Sequence, residues 1–182
     1  MNRNDAWQLL CKYTKDKSLQ KHALAVEAAM NAFAKKFNED EDKWSIVGLV
    51  HDLDYEQFPD QHPFKGVEIL KQNQYSQEIQ QAVLSHVETK TGVSPTTLME
   101  KTLCAVDELS GFIIAVALVR PSKKLADVKV KSVKKKLKDK AFARAVNRDE
   151  IYKGIDLLGN NLDEHIEFML NALKPVASEL GI

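Results

Sequence analysis

The sequence predicts an all-α fold, and three observations support this prediction. Apolar residues recur every three or four positions in most segments, a spacing that places them on one face of a helix. Glycine and proline, which interrupt helices, number only seven and five. Alternation of apolar and polar residues, which indicates a strand, is confined to residues 126–131. With 182 residues and 44% hydrophobic composition, the chain is predicted to form one domain, residues 1–182, with a buried core.

In the first part of the chain, acidic residues and a proline indicate where helices begin. The first four predicted helices cover about residues 5–13, 18–37, 38–52 and 63–72. The second begins after Ser18. The third opens in the acidic patch at residues 38–42, because carboxylates stabilise helix N-termini, and it ends near His51. Pro63 suits the first turn of the fourth helix, where no backbone donor is needed.

Helices in the rest of the chain are bounded by capping residues. They are predicted at about residues 77–87, 94–120, 131–138, 140–146, 147–158 and 163–180. Ser76, Ser94 and Asn147 are residue types that cap helix N-termini through a side-chain oxygen. Gly159 ends the helix that Asn147 opens, and Pro175 is expected to perturb the last helix.

The segment LVHDLDYEQFPDQHPFKG, residues 49–66, contains two of the five histidines. One of them, His51, is followed directly by Asp52, and the other is His62. A solvated loop tolerates acids, and we expect Asp54 to be a solvated loop acid or one that orients a water. Solvation of a loop does not explain the presence of two histidines, so they require another explanation.

Three further polar residues face the interior of the predicted helices. His22 lies at the edge of the buried stripe of the second helix, and His86 continues an apolar row on the fifth. Asp107 follows a leucine by four residues on the sixth helix and therefore shares its apolar face. A buried carboxylate is costly unless it is paired or binds a cation. We therefore predict that these residues meet the His51–Asp52 pair and bind a metal ion.

The residue types indicate which metals would bind. Imidazole nitrogens and carboxylate oxygens suit a divalent transition metal, namely Mn, Fe, Co, Ni or Zn. His22, His51, Asp52 and Asp107 can hold one ion with open water positions. Two further histidines, His62 and His86, can hold a second ion with Asp52 as the bridge, so one and two ions are both open. Such a site lowers the pKa of bound water and clamps a phosphoryl group.

The order of these residues resembles the HD superfamily of metal-dependent phosphohydrolases. The residues that carry the resemblance are, in chain order, His22, His51, Asp52, His62, His86 and Asp107. The two histidines between the His-Asp pair and the last aspartate resemble the binuclear-type branch with an HDIG-like motif. Asp54 replaces the usual glycine of that motif, and Tyr55 replaces the lysine that often follows it. The segment HPFKGVEIL resembles the helix start that follows the motif in that branch.

The resemblance implies a fold and an activity. It covers about residues 18–120 and implies an HD-type helical bundle, with residues 121–182 as a helical C-terminal extension. The implied activity is metal-dependent hydrolysis of a phosphate ester in a small nucleotide-like molecule by metal-activated water. Asp52 and Asp107 would be the catalytic carboxylates, with Asp52 bridging the ions or holding the water. Two alternatives are a metal-stabilised module that binds a nucleotide or RNA without turnover, and a purely structural metal site.

Zero formal net charge hides a segregation of charge along the chain. Residues 120–148 contain twelve of the 26 basic residues and only two of the 26 acidic ones. This segment is either a solvated helix face or an electropositive rim that attracts a phosphorylated substrate or a nucleic acid. The candidates for phosphate contact are Lys123, Lys124, Lys131, Lys134, Lys135, Lys138 and Arg144. No aromatic residue is interleaved among these lysines, which argues against a platform for stacking single-stranded bases.

The remaining features favour a cytoplasmic protein without membrane contact. The N-terminus has no apolar segment typical of a secretory signal. The longest apolar run, residues 112–119, is far shorter than the roughly 20 residues that span a bilayer. Cys11 and Cys104 lie far apart without metal-binding spacing, so we expect reduced thiols. The fifth histidine, His165, shares an apolar helical face, and we interpret it as structural.

Overall fold

A computed structural model describes residues 2–182, and these residues form helices and no strand. The α-helices are α1 (Arg3–Tyr13), α2 (Lys17–Phe37), α3 (Glu41–Val50), α4 (Phe64–Gln72), α5 (Gln77–Ser85), α6 (Glu88–Thr91), α7 (Leu98–Leu118), α8 (Val130–Leu137), α9 (Arg148–Leu157), α10 (Leu162–Leu173) and α11 (Ala177–Leu180). Short 3-10 turns lie at Leu125–Asp127 and Lys174–Val176. The predicted all-α fold class is confirmed, and the brief alternation at 126–131 forms no strand.

The two longest helices, α2 and α7, organise the core. α2 packs against α3, α7 and α10, while α7 also packs against α5 and α9. Phe33 of α2 and Phe112 of α7 are fully buried, as is Val47 of α3. α3 approaches α2 closely because Gly48 has no side chain, since a Cβ there would lie 2.7 Å from the backbone of Glu27. This close approach brings the end of α3 beside α2.

Two predicted helix starts are wrong by a few residues. α2 begins at Lys17, one residue before Ser18, because the carboxylate of Asp16 accepts hydrogen bonds from two backbone amides of the first turn. α7 begins four residues after Ser94, because Thr97 and Glu100 form a capping box in which each side chain accepts from the other's backbone. The predicted caps Ser76 and Asn147 are confirmed.

The segment 140–146, predicted as a helix, is instead a series of turns. The guanidinium of Arg148 donates hydrogen bonds to four carbonyls of this segment and the residue before it, those of Asp139, Phe142, Ala143 and Val146. Because these carbonyls all bond to one guanidinium, the backbone folds around it. The backbone N–H groups of Phe142 and Val146 donate to carbonyls three residues earlier, as in a turn. Arg148, the first residue of α9, therefore determines the fold of the loop before it.

The C-terminal part follows the prediction more closely. α9 ends before Gly159, which has a φ of +63°. The last predicted helix is divided into α10 and α11 at a 3-10 turn that contains Pro175, so the perturbation predicted there is confirmed. Within residues 2–182, no helix combines the length and the apolar character needed to cross a membrane.

Candidate metal centre

The six residues predicted as metal ligands come together from five places in the fold. His22 lies within α2, His51 and Asp52 follow the last turn of α3, and Asp107 lies within α7. His62 lies in the loop before α4, and His86 follows the end of α5. The packing of α3, α5 and α7 around α2 therefore brings together residues that are up to 85 positions apart in the chain.

Four of the side chains form one group, which we call the first cation position: His22, His51, Asp52 and Asp107. The Nε2 atoms of His22 and His51 lie 3.2 Å apart. Oδ1 of Asp107 lies 3.0 Å from Nε2 of His22 and 3.4 Å from Nε2 of His51. Oδ2 of Asp52 completes the group at 3.5 Å from Nε2 of His51. Two nitrogens and two carboxylate oxygens thus face one another across a space without a hydrophobic side chain between them.

Three side chains form a second group, which we call the second cation position: Asp52, His62 and His86. Oδ1 of Asp52 lies 3.4 Å from Nε2 of His62 and 3.4 Å from Nε2 of His86. The two oxygens of Asp52 therefore face different groups, Oδ2 the first position and Oδ1 the second. Asp52 is therefore common to both groups.

The orientation of the imidazoles is set by hydrogen bonds at their other nitrogen. Nδ1 of His51 donates to the carbonyl of Gly48 at 2.8 Å, and Nδ1 of His86 donates to the carbonyl of Val83 at 2.5 Å. With Nδ1 occupied in this way, Nε2 of each ring points into the cluster, where it can offer its lone pair to a cation in place of a proton. Such hydrogen bonds, in which a ligand histidine donates to a backbone or carboxylate oxygen, are typical of metal sites.

These residues fit a divalent cation by their chemistry and by their placement. Within each group, the ligand atoms all lie within 4.8 Å of one another. Nitrogen and oxygen donors suit Mn, Fe, Co, Ni or Zn, and no thiolate takes part. Four protein ligands in the first group and three in the second would leave places open on a six-coordinate ion.

The electrostatics of the cluster favour a positive charge at its centre. Burial alone would lower the pKa of His51, but the negative charges of Asp52 and Asp107 raise it to about 9. Burial opposes ionisation of the two carboxylates, yet the neighbouring histidines lower the pKa of both. The cluster therefore retains a proton on His51 when no metal is bound, and a divalent cation would compete with that proton.

The cluster opens into a cleft of about 460 Å³. Glu108 and Glu150 line its wall. The backbone N–H of Asn147 donates to the carboxylate of Glu108 at 3.2 Å, which connects Glu108 to the turn segment before α9. Burial and the charge of Asp107 raise the pKa of Glu108 to about 7. Tyr55 also lines the cleft, with its ring edge-on to that of His62 at 5.4 Å between centroids.

The basic candidates for phosphate contact lie elsewhere. Among the residues that the structure describes, no lysine or arginine lines the cleft. Arg144 is the nearest of them along the chain, since Ala145 is part of the lining. Lys134 pairs with Asp163 of α10 at 2.5 Å. The structure thus brings the six predicted ligands together but does not bring the seven basic residues to them.

Asp54 is the residue that the sequence interpretation missed. It was expected to be solvated, but its side chain is fully buried, so that expectation is wrong. It accepts hydrogen bonds from Nδ1 of His62 at 2.8 Å and from the backbone N–H of Gly66 at 2.6 Å. The burial of Asp54 could have been inferred from two features of the sequence, namely an acid two residues after the His51–Asp52 pair and a glycine, Gly66, shortly after His62.

Two other polar residues of the core have no part in the cluster. His165 is 1% exposed, and its Nε2 donates to the carbonyl of Ala105 at 3.1 Å, which confirms the structural interpretation. Burial lowers its pKa to about 4. Cys104 is a free thiol like Cys11, and burial raises its pKa to about 12. A thiol with so high a pKa is a poor nucleophile at neutral pH.

Comparison with known proteins identifies the family. A family model described as HD domain matches residues 19–111, slightly more than half of the chain. The matched range contains all six converging residues. No curated protein and no solved structure matches the chain. The family match and the cluster of histidines and aspartates agree, and the chain belongs to the HD superfamily of metal-dependent phosphohydrolases.

Proposed function

We propose that the protein hydrolyses a phosphate monoester with two divalent cations bound, in the manner of the binuclear-type branch of its family. The observation that carries this proposal is the position of Asp52. Its two oxygens face two separate groups of histidines, with Nε2 of His51 on one side and Nε2 of His62 and His86 on the other. A site for one ion would need only the first group.

The residues divide into two sets of ligands that share one carboxylate. His22, His51 and Asp107 would hold the first cation, His62 and His86 the second, and Asp52 both. Bound cations of this kind lower the pKa of a bound water and stabilise the charge of a phosphoryl group. Asp52 would hold the attacking water between the two positions, since its carboxylate lies between them. Among the described residues that line the cleft there is no serine or cysteine that could act as a nucleophile.

The charge of the cleft supports a requirement for cations. Its lining contains the carboxylates of Asp52, Asp107, Glu108 and Glu150, and no lysine or arginine from the described part of the chain. An anionic phosphate is repelled by such a surface until divalent cations reverse its charge. We therefore expect the cations to be needed for substrate binding as well as for the reaction.

The shape of the cleft supports a small organic phosphate as the substrate. A volume of about 460 Å³ is within the range of small-molecule sites. Tyr55, which is 47% exposed, offers a ring against which a planar group such as a nucleobase could stack. Because no lysine or arginine of the described residues lines the cleft to neutralise further phosphates, we expect a monophosphate to be preferred over a triphosphate.

A screen of phosphate release tests the proposal. The protein is stripped of metal, reconstituted separately with Mn, Fe, Co, Ni or Zn, and assayed against nucleoside monophosphates and other phosphate esters. We expect release that chelation abolishes while the helical circular dichroism is retained. Asp52→Asn should be inactive, whereas Asp60→Asn, at an exposed acid of the same loop, should act like wild type. The proposal is wrong if no phosphate ester is turned over with any of the metals.

The second candidate is a module that binds a nucleotide or RNA without turnover. It is favoured by the distance of the basic residues from the cleft lining, because exposed lysines such as Lys131 and Lys135 can bind a polyanion independently of the cluster. In the same screen, this alternative predicts that a nucleotide or RNA raises the melting temperature while no phosphate is released.

A further inference from the structure

Asp54 uses both oxygens of a fully buried carboxylate. Oδ1 accepts from Nδ1 of His62 at 2.8 Å, and Oδ2 accepts from the backbone N–H of Gly66 at 2.6 Å. A buried carboxylate costs several kcal/mol unless its oxygens are satisfied, and here both are. One of its partners is a ligand of the second cation position, and the other lies in the first turn of α4.

We propose that Asp54 is a positioning residue that fixes His62 and thereby forms the second cation position. This inference rests on the two-cation centre of the proposed function. Because Nδ1 of His62 donates to Asp54, its Nε2 carries the lone pair, and this atom lies 3.4 Å from Oδ1 of Asp52. A carboxylate that accepts from a ligand histidine also makes its other nitrogen a stronger donor to the cation.

The second position needs such a residue because His62 is not on a helix. His51 and His86 donate from Nδ1 to carbonyls three residues earlier, so each imidazole is held by the helix that it ends. His62 lies in the loop before α4 and takes its orientation from Asp54 instead. The hydrogen bond to Gly66 then ties this loop to α4, so the ligand, the carboxylate and the helix form one unit.

Gly66 is required for this arrangement. A Cβ at this position would lie 2.9 Å from Oδ1 of Asp54, closer than real Cβ atoms are found, and 3.0 Å from its Cγ, so the carboxylate would have to shift. Any other residue here would push the carboxylate away from the first turn of α4. The absence of a side chain at Gly66 therefore allows Asp54 to reach His62 and the backbone at once.

Replacing Asp54 should weaken one cation position and leave the other intact. Asp54→Ala removes both acceptors. Asp54→Asn keeps the size, but its amide has one acceptor oxygen and one donor nitrogen, so the nitrogen must face one of two N–H groups. Loss of a residue that orients a metal ligand reduces metal affinity by about 10- to 100-fold. We expect a loss of this size for the second ion only.

The matched control is Glu56→Gln. Glu56 lies two residues from Asp54 and also accepts two N–H hydrogen bonds, at 2.7 and 2.9 Å from the backbone of Lys15 and Asp16. It contacts no member of either cation position. A loss of second-ion affinity in the Asp54 variants but not in Glu56→Gln would therefore reflect the contact with His62 rather than a general loosening of the loop.

The experiment is a titration of metal-stripped protein with Mn²⁺, in which bound ions per chain are counted at each step. Wild type and Glu56→Gln should bind two ions, and a folded Asp54 variant should keep the first affinity and lose the second. A folded Asp54 variant that binds the second ion as tightly as wild type overturns the inference, even if its melting temperature falls. So does a wild type that binds fewer than two ions. Two ions bound without phosphate release would refute the proposed hydrolysis and leave the role of Asp54 standing.

Discussion

Oδ1 of Asp52 lies 3.4 Å from Nε2 of His86, while Oδ2 of the same carboxylate faces the opposite group of ligands. Asp52 is therefore common to both cation positions, whereas His86 belongs to the second alone. Replacing the ligand that both positions share should change the metal content differently from replacing a ligand that belongs to one position. This difference makes the number of bound ions measurable by mutation.

Asp52→Ala should lose both ions, because each position loses an oxygen ligand, and His86→Ala should lose only one. If His86 were a packing residue, its replacement would leave a cavity that lowers stability without changing the metal content. The metal-to-protein ratio and the melting temperature of each variant distinguish these cases. A His86→Ala protein with the full wild-type metal count would show that the binuclear assignment is wrong.

Arg148 should control the wall of the cleft without affecting the metal. Its guanidinium donates to carbonyls of the turn segment, including those of Ala143 and Val146 at 2.9 Å each, and this segment ends in the cleft lining. In Arg148→Met these carbonyls lose hydrogen bonds worth about 0.5–1.5 kcal/mol each. We expect faster amide exchange in residues 139–147 and a KM raised by about 3- to 10-fold, with metal content unchanged.

The control for this prediction is Lys140→Met, at an exposed position of the same turn segment. It should leave both amide exchange and KM near wild-type values. Unchanged exchange in Arg148→Met would contradict the role that the structure gives to this arginine.

His165 should make stability depend on pH mainly through its burial. Its pKa is lowered to about 4 in the folded protein, whereas an unfolded histidine has a pKa near 6.5. As the pH falls through about 6.5, the unfolded chain gains a proton that the folded protein takes up only near pH 4. The free energy of unfolding should therefore decrease as the pH falls across this window, by at most about 3 kcal/mol.

The test compares the urea unfolding of wild type and His165→Gln at pH 7 and pH 5. The variant should be less stable at pH 7, because it loses the hydrogen bond to the carbonyl of Ala105, but its stability should fall less on acidification. Other groups titrate in both proteins, so the difference between the two slopes isolates His165. Equal slopes would contradict the assigned pKa.

Gly154 allows α9 to approach α7, and Gly154→Ala should separate them. A Cβ at Gly154 would lie 2.6 Å from Cα of Ala105, which is backbone and cannot move aside. Overpacking of this kind costs about 1–3 kcal/mol of unfolding free energy. Asp156→Ala, at an exposed position of the same helix, is the control and should change stability little. Denaturant unfolding of the two variants measures the difference, and equal stability would refute the close packing.

Most of the helices, and the convergence of the polar residues that lie on them, were predictable because both depend on spacing. The inward orientation of a residue such as Asp107 is indicated by the apolar residues four positions away, and the folded helix keeps this spacing. The caps of α2 and α7 were less predictable, since Asp16 and Thr97 compete with equally suitable residues nearby. Which residue becomes the cap depends on where the helix packs, and the local sequence does not contain this information.

Asp54 and the turn segment at 140–146 were predicted wrongly for a related reason. The acid is buried because it meets His62 and Gly66, eight and twelve residues later, across a loop whose path has no periodic signal. The helical pattern of the turn segment is overridden by Arg148, whose hydrogen bonds replace those of a helix. In both cases the structure is determined by one side chain that hydrogen-bonds to a backbone group or an imidazole elsewhere in the chain. Composition and spacing do not indicate which group this partner is.

The most direct test of the central claim is a single titration of metal-stripped protein with Mn²⁺, in which bound ions and phosphate release are measured on the same samples. The account predicts no release without metal and full activity only when two ions are bound per chain. Asp52→Ala should neither bind the ions nor release phosphate at any point of the titration. Phosphate release by protein that holds no ion, or a protein that binds no ion at saturating Mn²⁺, would contradict the account.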